Sequence, residues 1–331
     1  QPFFMYVTYT AAHWPMHALP EDIAKYKGKY DQGYDPIRQA RFAKTAKLGL
    51  IASEQKMSPG SNWNDVKHKP WESACMEVYA AMIDRMDQGI GKIVGELKRT
   101  RQFDNTLIFF LQDNGGCAEG MGRQSNADVV SKQVTRPLGP NDLQPAIWPP
   151  MQTRDGRPVR TGPDVLPGPA DTFIAYGEGW ANVSNTPFRE YKHWVHEGGI
   201  STPLIAHWPK GIANRGELRS QPGHLIDISA TLYDLAEVKY PVDATPLEGM
   251  SLRPAFADKP IERDALYWEH EGNRAVRVAD WKLVAKHNKP WELYNLANDR
   301  VEANNLAAKM PEKVTELAAK YEAYAARALV E

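Results

Sequence analysis

The 331 residues carry 42% hydrophobic and 24% charged side chains, a balance that suits one large core with a small annex, or two domains. A net charge of −1 gives no global reason to expect a nucleic-acid or anionic-membrane partner, and no apolar run approaches the ~18–20 residues that span a bilayer. The two cysteines, Cys75 and Cys117, make neither a disulfide framework nor a CxxC pair.

The chain opens "QPFFMYVTYT" with no initiator Met and no charged-then-apolar leader. Residues 2–10, rich in Phe, Tyr, Val and Thr, predict a largely buried strand, and so early a strand leads us to expect further sequence upstream. "AAHWPMHALP" dictates a loop, and residues 36–52 a short helix. Residues 71–99 predict the clearest helix, because Val78, Met82, Met86, Ile90, Ile93 and Leu97 recur every three or four positions. Residues 105–111 predict a strand, completing a helix-then-strand unit of α/β type. From about residue 120 to 176 the chain is dense in Pro, Gly and Asp without periodicity, and is expected to be an ordered excursion that includes Trp148. "TPLIAHW" (202–208) predicts a third buried strand, and "HLIDISATLYDLA" (224–236) an amphipathic helix. Beyond about residue 254, "ALYWEHEG", "NRAVRVADWKLVAK" and "WELYNL" predict an antiparallel meander, closed by a helix over 311–329.

Chemistry-bearing residues gather at the ends of the apolar runs. Asp113 and Asn114 follow "LIFFLQ", at the carboxyl edge where open α/β sheets bind ligands. They offer hard oxygen donors suited to Ca²⁺ or Mg²⁺, although on the dipeptide alone an Asp-Asn-Gly turn is the better reading. His13 could exchange a proton with a reacting group, although taken alone it reads better as a loop histidine bonded to backbone, and His17 belongs either to the same site or merely to the loop. A single lysine ordinarily reads as a solvated surface residue; Lys192 is raised above that by its setting, flanked by Tyr191 and Trp194 and followed by a Gly-Gly bend, and its compact cation suits sulfate or phosphate. His193 and His196 match no common zinc spacing and read as structural or supporting residues. No GxGxxG, GxxxxGK[ST] or GxSxG motif is present.

Taken together, "YTAAHWPMHALPEDIAKYKGKYDQGYDPIRQARFAK", "TLIFFLQDNGGCAEG", "WANVSNTPFREYKHWVHEGGISTPLIAHWPKGI" and "ALYWEHEGNRAVRVADWKLV" resemble the bacterial arylsulfatase branch of the sulfatase family, within the alkaline-phosphatase-like superfamily. The resemblance implies an α/β sandwich with a large mixed sheet flanked by helices over residues 1–253. A small C-terminal α+β domain over 254–331, with a short antiparallel sheet and a terminal helix, would follow. It implies that Asp113 and Asn114 ligate one Ca²⁺ (Mg²⁺ the alternative). His13 would contact the sulfate and protonate the leaving oxygen, and Lys192 would hold the sulfate oxygens. His17, His270 and Arg274 are expected toward the substrate rim. A cation, a lysine and a proton donor are what sulfate-ester cleavage needs, since charge builds on the sulfuryl and leaving oxygens.

The family's formylglycine motif C/S-x-P-S/A-R, its first two aspartate ligands and a Lys-x-His pair are not among these residues. The expectation is therefore that they lie upstream and that this chain alone does not turn over. The expected substrate is a small-molecule or glycan sulfate ester, aryl or sugar, with no nucleic acid or membrane as partner. The missing N-terminal polypeptide or a second copy of the chain are the protein partners considered. Competing readings are a phosphatase or phosphonate hydrolase of the same superfamily, and a catalytically incomplete fragment or pseudoenzyme. The family implies a periplasmic or secreted location, the cytoplasm being the alternative.

Overall fold

The structure, a computed structural model, describes all residues except Gln1, Ser53, Pro145, Ile147, Pro149, Pro150, Asn214 and Glu331. In chain order the helices are α1 (Pro20–Ala24), α2 (Tyr34–Lys47), α3 (Lys69–Arg99), α4 (Ala127–Val130), α5 (Gly177–Ser184), α6 (Glu197–Ile200), α7 (Ile226–Ala236), α8 (Arg253–Phe256) and α9 (Pro311–Ala328). The strands are β1 (Ile108–Leu111), β2 (Leu204–His207), β3 (Leu266–His270), β4 (Asn273–Val278), β5 (Trp281–Ala285) and β6 (Glu292–Asn295). The chain divides into two compact units, 1–41, 59–95 and 116–184 against 42–58, 96–115 and 185–331.

The first unit is built around the N-terminal part of α3. Pro70 opens that helix, where a missing N–H costs nothing, and Trp71, Ala74, Cys75, Val78 and Ala81 are buried. The carboxylate of Glu72 is sealed in this core, accepting from Tyr34 Oη at 2.8 Å and from the Arg123 guanidinium. Trp180 Nε1 donates to the Glu72 carbonyl at 2.8 Å. The Pro-rich excursion is ordered where it is described. Trp71 Nε1 donates to Val165 O at 2.8 Å, and Val159, Phe173, Ile174, Ala175 and Tyr176 are buried. Its Pro145, Ile147, Pro149 and Pro150 lie outside the described residues.

The expected first strand does not form. Residues 2–10 adopt no regular element, and Phe3, Phe4, Met5 and Tyr6 are exposed. β-branched and aromatic residues favour a pleated surface only where a neighbouring strand takes up the backbone N–H and C=O groups, and no described strand pairs with this segment.

In the second unit β1 and β2 form a two-stranded antiparallel pair, with Ile108 opposite His207 and Leu111 opposite Leu204. β2 is a strand as expected, but it is not buried: Leu204 and Ile205 are exposed. β3–β4–β5–β6 form the predicted antiparallel meander in sequential order. One face packs Val276, Leu283 and Leu293 against Leu317, Tyr321 and Ala325 of α9. The other packs Ala275, Val284 and Tyr294 against Val195 and Leu296. Because both faces are covered, the Lys of β5 is enclosed rather than solvated: Lys282 is 0% exposed.

Candidate active site

Asp113 and Asn114 sit in the turn that leaves β1, Asp113 exposed and Asn114 half-buried. The Asn114 amide donates from Nδ2 to Gly115 O at 2.8 Å, which commits its nitrogen end to the turn. The turn is tied directly to the segment that carries Lys192. Gly115 N donates to Gly199 O at 2.9 Å, and Thr202 Oγ1 donates to Gln112 O at 2.9 Å. A Cβ on Gly115 would lie 1.7 Å from Gly198 O, so only glycine permits this approach. The Gly-Gly bend is fixed in the same way, since a Cβ on Gly199 would lie 1.9 Å from Trp194 O.

The Lys192 segment is anchored from below by a buried charge network. Lys282 Nζ lies 2.9 Å from Glu197 Oε1 and 2.9 Å from Glu302 Oε1, while Glu302 Oε2 accepts from Glu197 N at 2.9 Å. Arg300 donates to Ser201 Oγ at 2.8 Å and lies 3.5 Å from Glu197 Oε2. Burial pushes the Glu197 carboxyl up, but the charges of Lys282 and Arg300 outweigh it and hold the group below the usual range. Beside it, Glu292 accepts from Tyr294 Oη at 2.6 Å and from Arg189, with His196 Nε2 3.6 Å away. Burial again raises this carboxyl, and His196, Tyr294 and Arg189 together bring it down to about 2. His196 is fully buried, in keeping with its structural reading.

His193 departs from that reading. Its Nδ1 lies 2.9 Å from Glu271 Oε2, and its ring stands 5.5 Å from that of His270. Local spacing could not reveal this, because the partners come from the β3–β4 turn. Of the expected rim residues, His270 is exposed at the end of β3, and Arg274 on β4 lays its guanidinium over the Trp291 ring at 4.4 Å.

His13 and His17 belong to the first unit. His13 is exposed and donates from Nδ1 to Trp14 O at 2.7 Å, which assigns the proton to Nδ1 because a carbonyl can only accept. Trp14 donates from Nε1 to Glu119 Oε2 at 2.8 Å, and the Cys117 thiol donates to the same oxygen at 3.0 Å. His13, Cys117 and Glu119 thereby cluster, their ligand atoms within 4.8 Å of one another. Trp14, Trp148 and Phe173 form an aromatic group alongside, Trp14 lying 5.5 Å from each of the other two. His17 donates from Nε2 to Thr172 O at 2.8 Å, so its ring pins the loop. Neither thiol is activated: burial pushes both Cys75 and Cys117 up, and Glu119 adds to the effect at Cys117.

The oxygen donors at Asp113 and Asn114 suit a hard cation in kind, but a Ca²⁺ ion takes ~6–8 oxygens, so these two residues do not by themselves make a site for one. Known proteins place the fold and the sequence, rather than these donors, in a class. The solved structure of Ps i-CgsB superposes on 98% of this chain, covering 50% of its own, with a TM-score of 0.60 at 23% identity. The fold is α/β, of the alkaline-phosphatase-like class. A model of the Sulfatase family matches residues 1–238, and one of the N-sulphoglucosamine sulphohydrolase C-terminal region matches residues 189–326. An uncharacterized sulfatase of Schizosaccharomyces pombe is 31% identical over 96% of this chain and 56% of its own length. An arylsulfatase of Klebsiella aerogenes is 31% identical over 76% of this chain and 51% of its own. The chain belongs to the sulfatase family, and it spans about half the length of these relatives. No helix among the described residues is long and apolar enough to cross a membrane.

Proposed function

We propose that this chain contributes the cation-, sulfate- and proton-handling residues of a sulfuric ester hydrolase acting on an aryl or sugar sulfate. In this reading Asp113 and Asn114 supply oxygen ligands to a Ca²⁺ ion, or to Mg²⁺ in its place. The ion, when bound, draws off charge that builds on the sulfuryl oxygens. Lys192 holds the sulfate oxygens as a point charge. His13 gives a proton to the departing oxygen, its orientation set by the Nδ1–Trp14 carbonyl bond. In this reading the nucleophile is a formylglycine contributed from outside these 331 residues, since no C/S-x-P-S/A-R motif, at either a cysteine or a serine, occurs among them.

The observation that carries the reading is the Gly115–Gly199 backbone bond, which joins the Asp113–Asn114 turn to the Lys192 segment. The membership of the family adds to it. An aryl leaving group is supported by the aromatic group of Trp14, Trp148 and Phe173 beside His13. A sugar sulfate is supported by the carbohydrate, k-i-k-neocarrahexaose, bound in a second structure of Ps i-CgsB. The export expected of the family goes with this reading.

The test is turnover of p-nitrophenyl sulfate against p-nitrophenyl phosphate. The 331-residue chain alone is expected to hydrolyse neither, and the chain preceded by its own upstream sequence to prefer the sulfate. Clear sulfate hydrolysis by the isolated chain would remove the external nucleophile from the reading. Preference for the phosphate in the longer protein would make it a phosphohydrolase instead.

A further inference from the structure

We propose that His193, His270 and Glu271 form a second cation site, selective for a zinc-type transition-metal dication and separate in chemistry from the hard-oxygen pair Asp113–Asn114. Their ligand atoms all lie within 4.8 Å of one another. His193 Nδ1 and Glu271 Oε2 are already 2.9 Å apart, and the His193 and His270 rings stand at 86° with centroids 5.5 Å apart. Zinc bonds of ~2.0–2.2 Å in tetrahedral geometry set ligand atoms ~3.3 Å from each other. Side-chain rotation of these exposed residues closes the remaining gap. Two imidazoles and one carboxylate are the donor set that zinc, nickel and copper prefer over calcium, and they leave a fourth position for water.

What separates this group from a chance surface cluster is the main chain beneath it. His270 and Asn273 are the last cross-strand pair of β3 and β4. Glu271 (φ 51°) and Gly272 (φ 78°) make the two-residue turn between them, with positive φ at both central positions. This turn holds Glu271 at the tip, and Glu269 Oε1 braces it by accepting from Gly272 N at 2.8 Å. The side chain of Asn273 is 3% exposed and donates from Nδ2 to both His270 O, at 2.9 Å, and His193 O, at 3.2 Å. Its Oδ1 accepts from His287 N at 3.2 Å. One buried amide thus clamps the backbones of both histidines, so the ligand-bearing positions are set before any ion arrives. Pre-set backbones reduce the ordering cost of binding. Asn273 acts through the ligands and is a positioning residue.

The test is calorimetric titration of the 331-residue chain with Zn²⁺, with Ca²⁺ in excess to occupy hard-oxygen donors. Cys117→Ser serves as the control for the His13–Cys117–Glu119 cluster. A Zn²⁺ ion should bind in a manner insensitive to Cys117→Ser and be weakened roughly tenfold or more by His270→Ala and by Glu271→Gln. Losing a supporting partner alone costs ~10–100-fold at metal sites. Co²⁺ in place of Zn²⁺ should give the visible absorption of a nitrogen–oxygen site, lost in His270→Ala. Both substitutions are at exposed positions, and unchanged circular dichroism would show that the variants fold. Absence of Zn²⁺ binding, or binding that survives His270→Ala and Glu271→Gln, would overturn the proposal. So would binding that disappears in Cys117→Ser.

Discussion

Within the short segment 191–197, two neighbouring sets of charges are treated in opposite ways. Glu197 is enclosed with Lys282 and Glu302, and the half-exposed Arg300 reaches it from the surface side. His193, a few residues earlier, is turned outward beside His270 and Glu271, with its backbone held and the side chains exposed. The first set builds the scaffold and the second is open to a ligand. Buried charges must satisfy one another because desolvation is otherwise unaffordable, whereas exposed groups keep their donor capacity for something that arrives.

The sharpest way to break the scaffold is Lys282→Met. It removes the buried cation that bridges the carboxylates of Glu197 and Glu302, leaving them only the half-exposed Arg300 and Arg189 at 3.5 and 3.9 Å. A loss of about 3–5 kcal/mol in stability is expected from denaturant unfolding. Next comes Glu292. Its carboxyl, at about 2 instead of the ordinary 4.5, stabilises the fold fully above the unfolded value and loses that contribution as pH falls from about 4.5 toward 2. The linked energy is at most roughly 3 kcal/mol. Glu292→Gln should flatten the pH dependence of melting in that window, and an unchanged slope would mean the contacts of Arg189 and Tyr294 are not formed. Gly115→Ala forces a methyl into Gly198 O and should cost about 1–3 kcal/mol, together with a weakened Ca²⁺ titration if the turn carries the cation. The smallest effect belongs to the open set. His193→Ala should change stability by no more than about 1 kcal/mol, the scale of an exposed polar contact, while reducing Zn²⁺ affinity.

The same contrast explains what the sequence made legible. The long helix α3, the amphipathic α7, the meander β3–β6 and the closing α9 were readable because each carries its own period or turn chemistry. Residues 2–10 were not, since strand propensity is a preference for a partner that the segment cannot name. β2 is legible in position but not in burial, because an apolar run reads alike whether one or two neighbours cover it. At the site, the Asp113–Asn114 turn and Lys192 stood out through their motif context, and Glu197 lay in the same stretch. Its partner Lys282 was hidden, as a lysine in a short strand reads as solvent-facing until the second face is covered by residues far along the chain. His193 was set aside for the same reason: its partners lie on another hairpin.

The proposed hydrolysis rests on Lys192 acting on sulfate rather than on the scaffold beneath it. The most direct measurement is p-nitrophenyl sulfate turnover by the chain preceded by its own upstream sequence, wild type against Lys192→Ala, with thermal unfolding recorded in parallel. Turnover should fall by roughly 10²–10³-fold, the range seen when a charge-stabilising donor is removed, while the unfolding transition stays in place. Equal turnover in the two proteins would contradict the assignment of Lys192 to the sulfate.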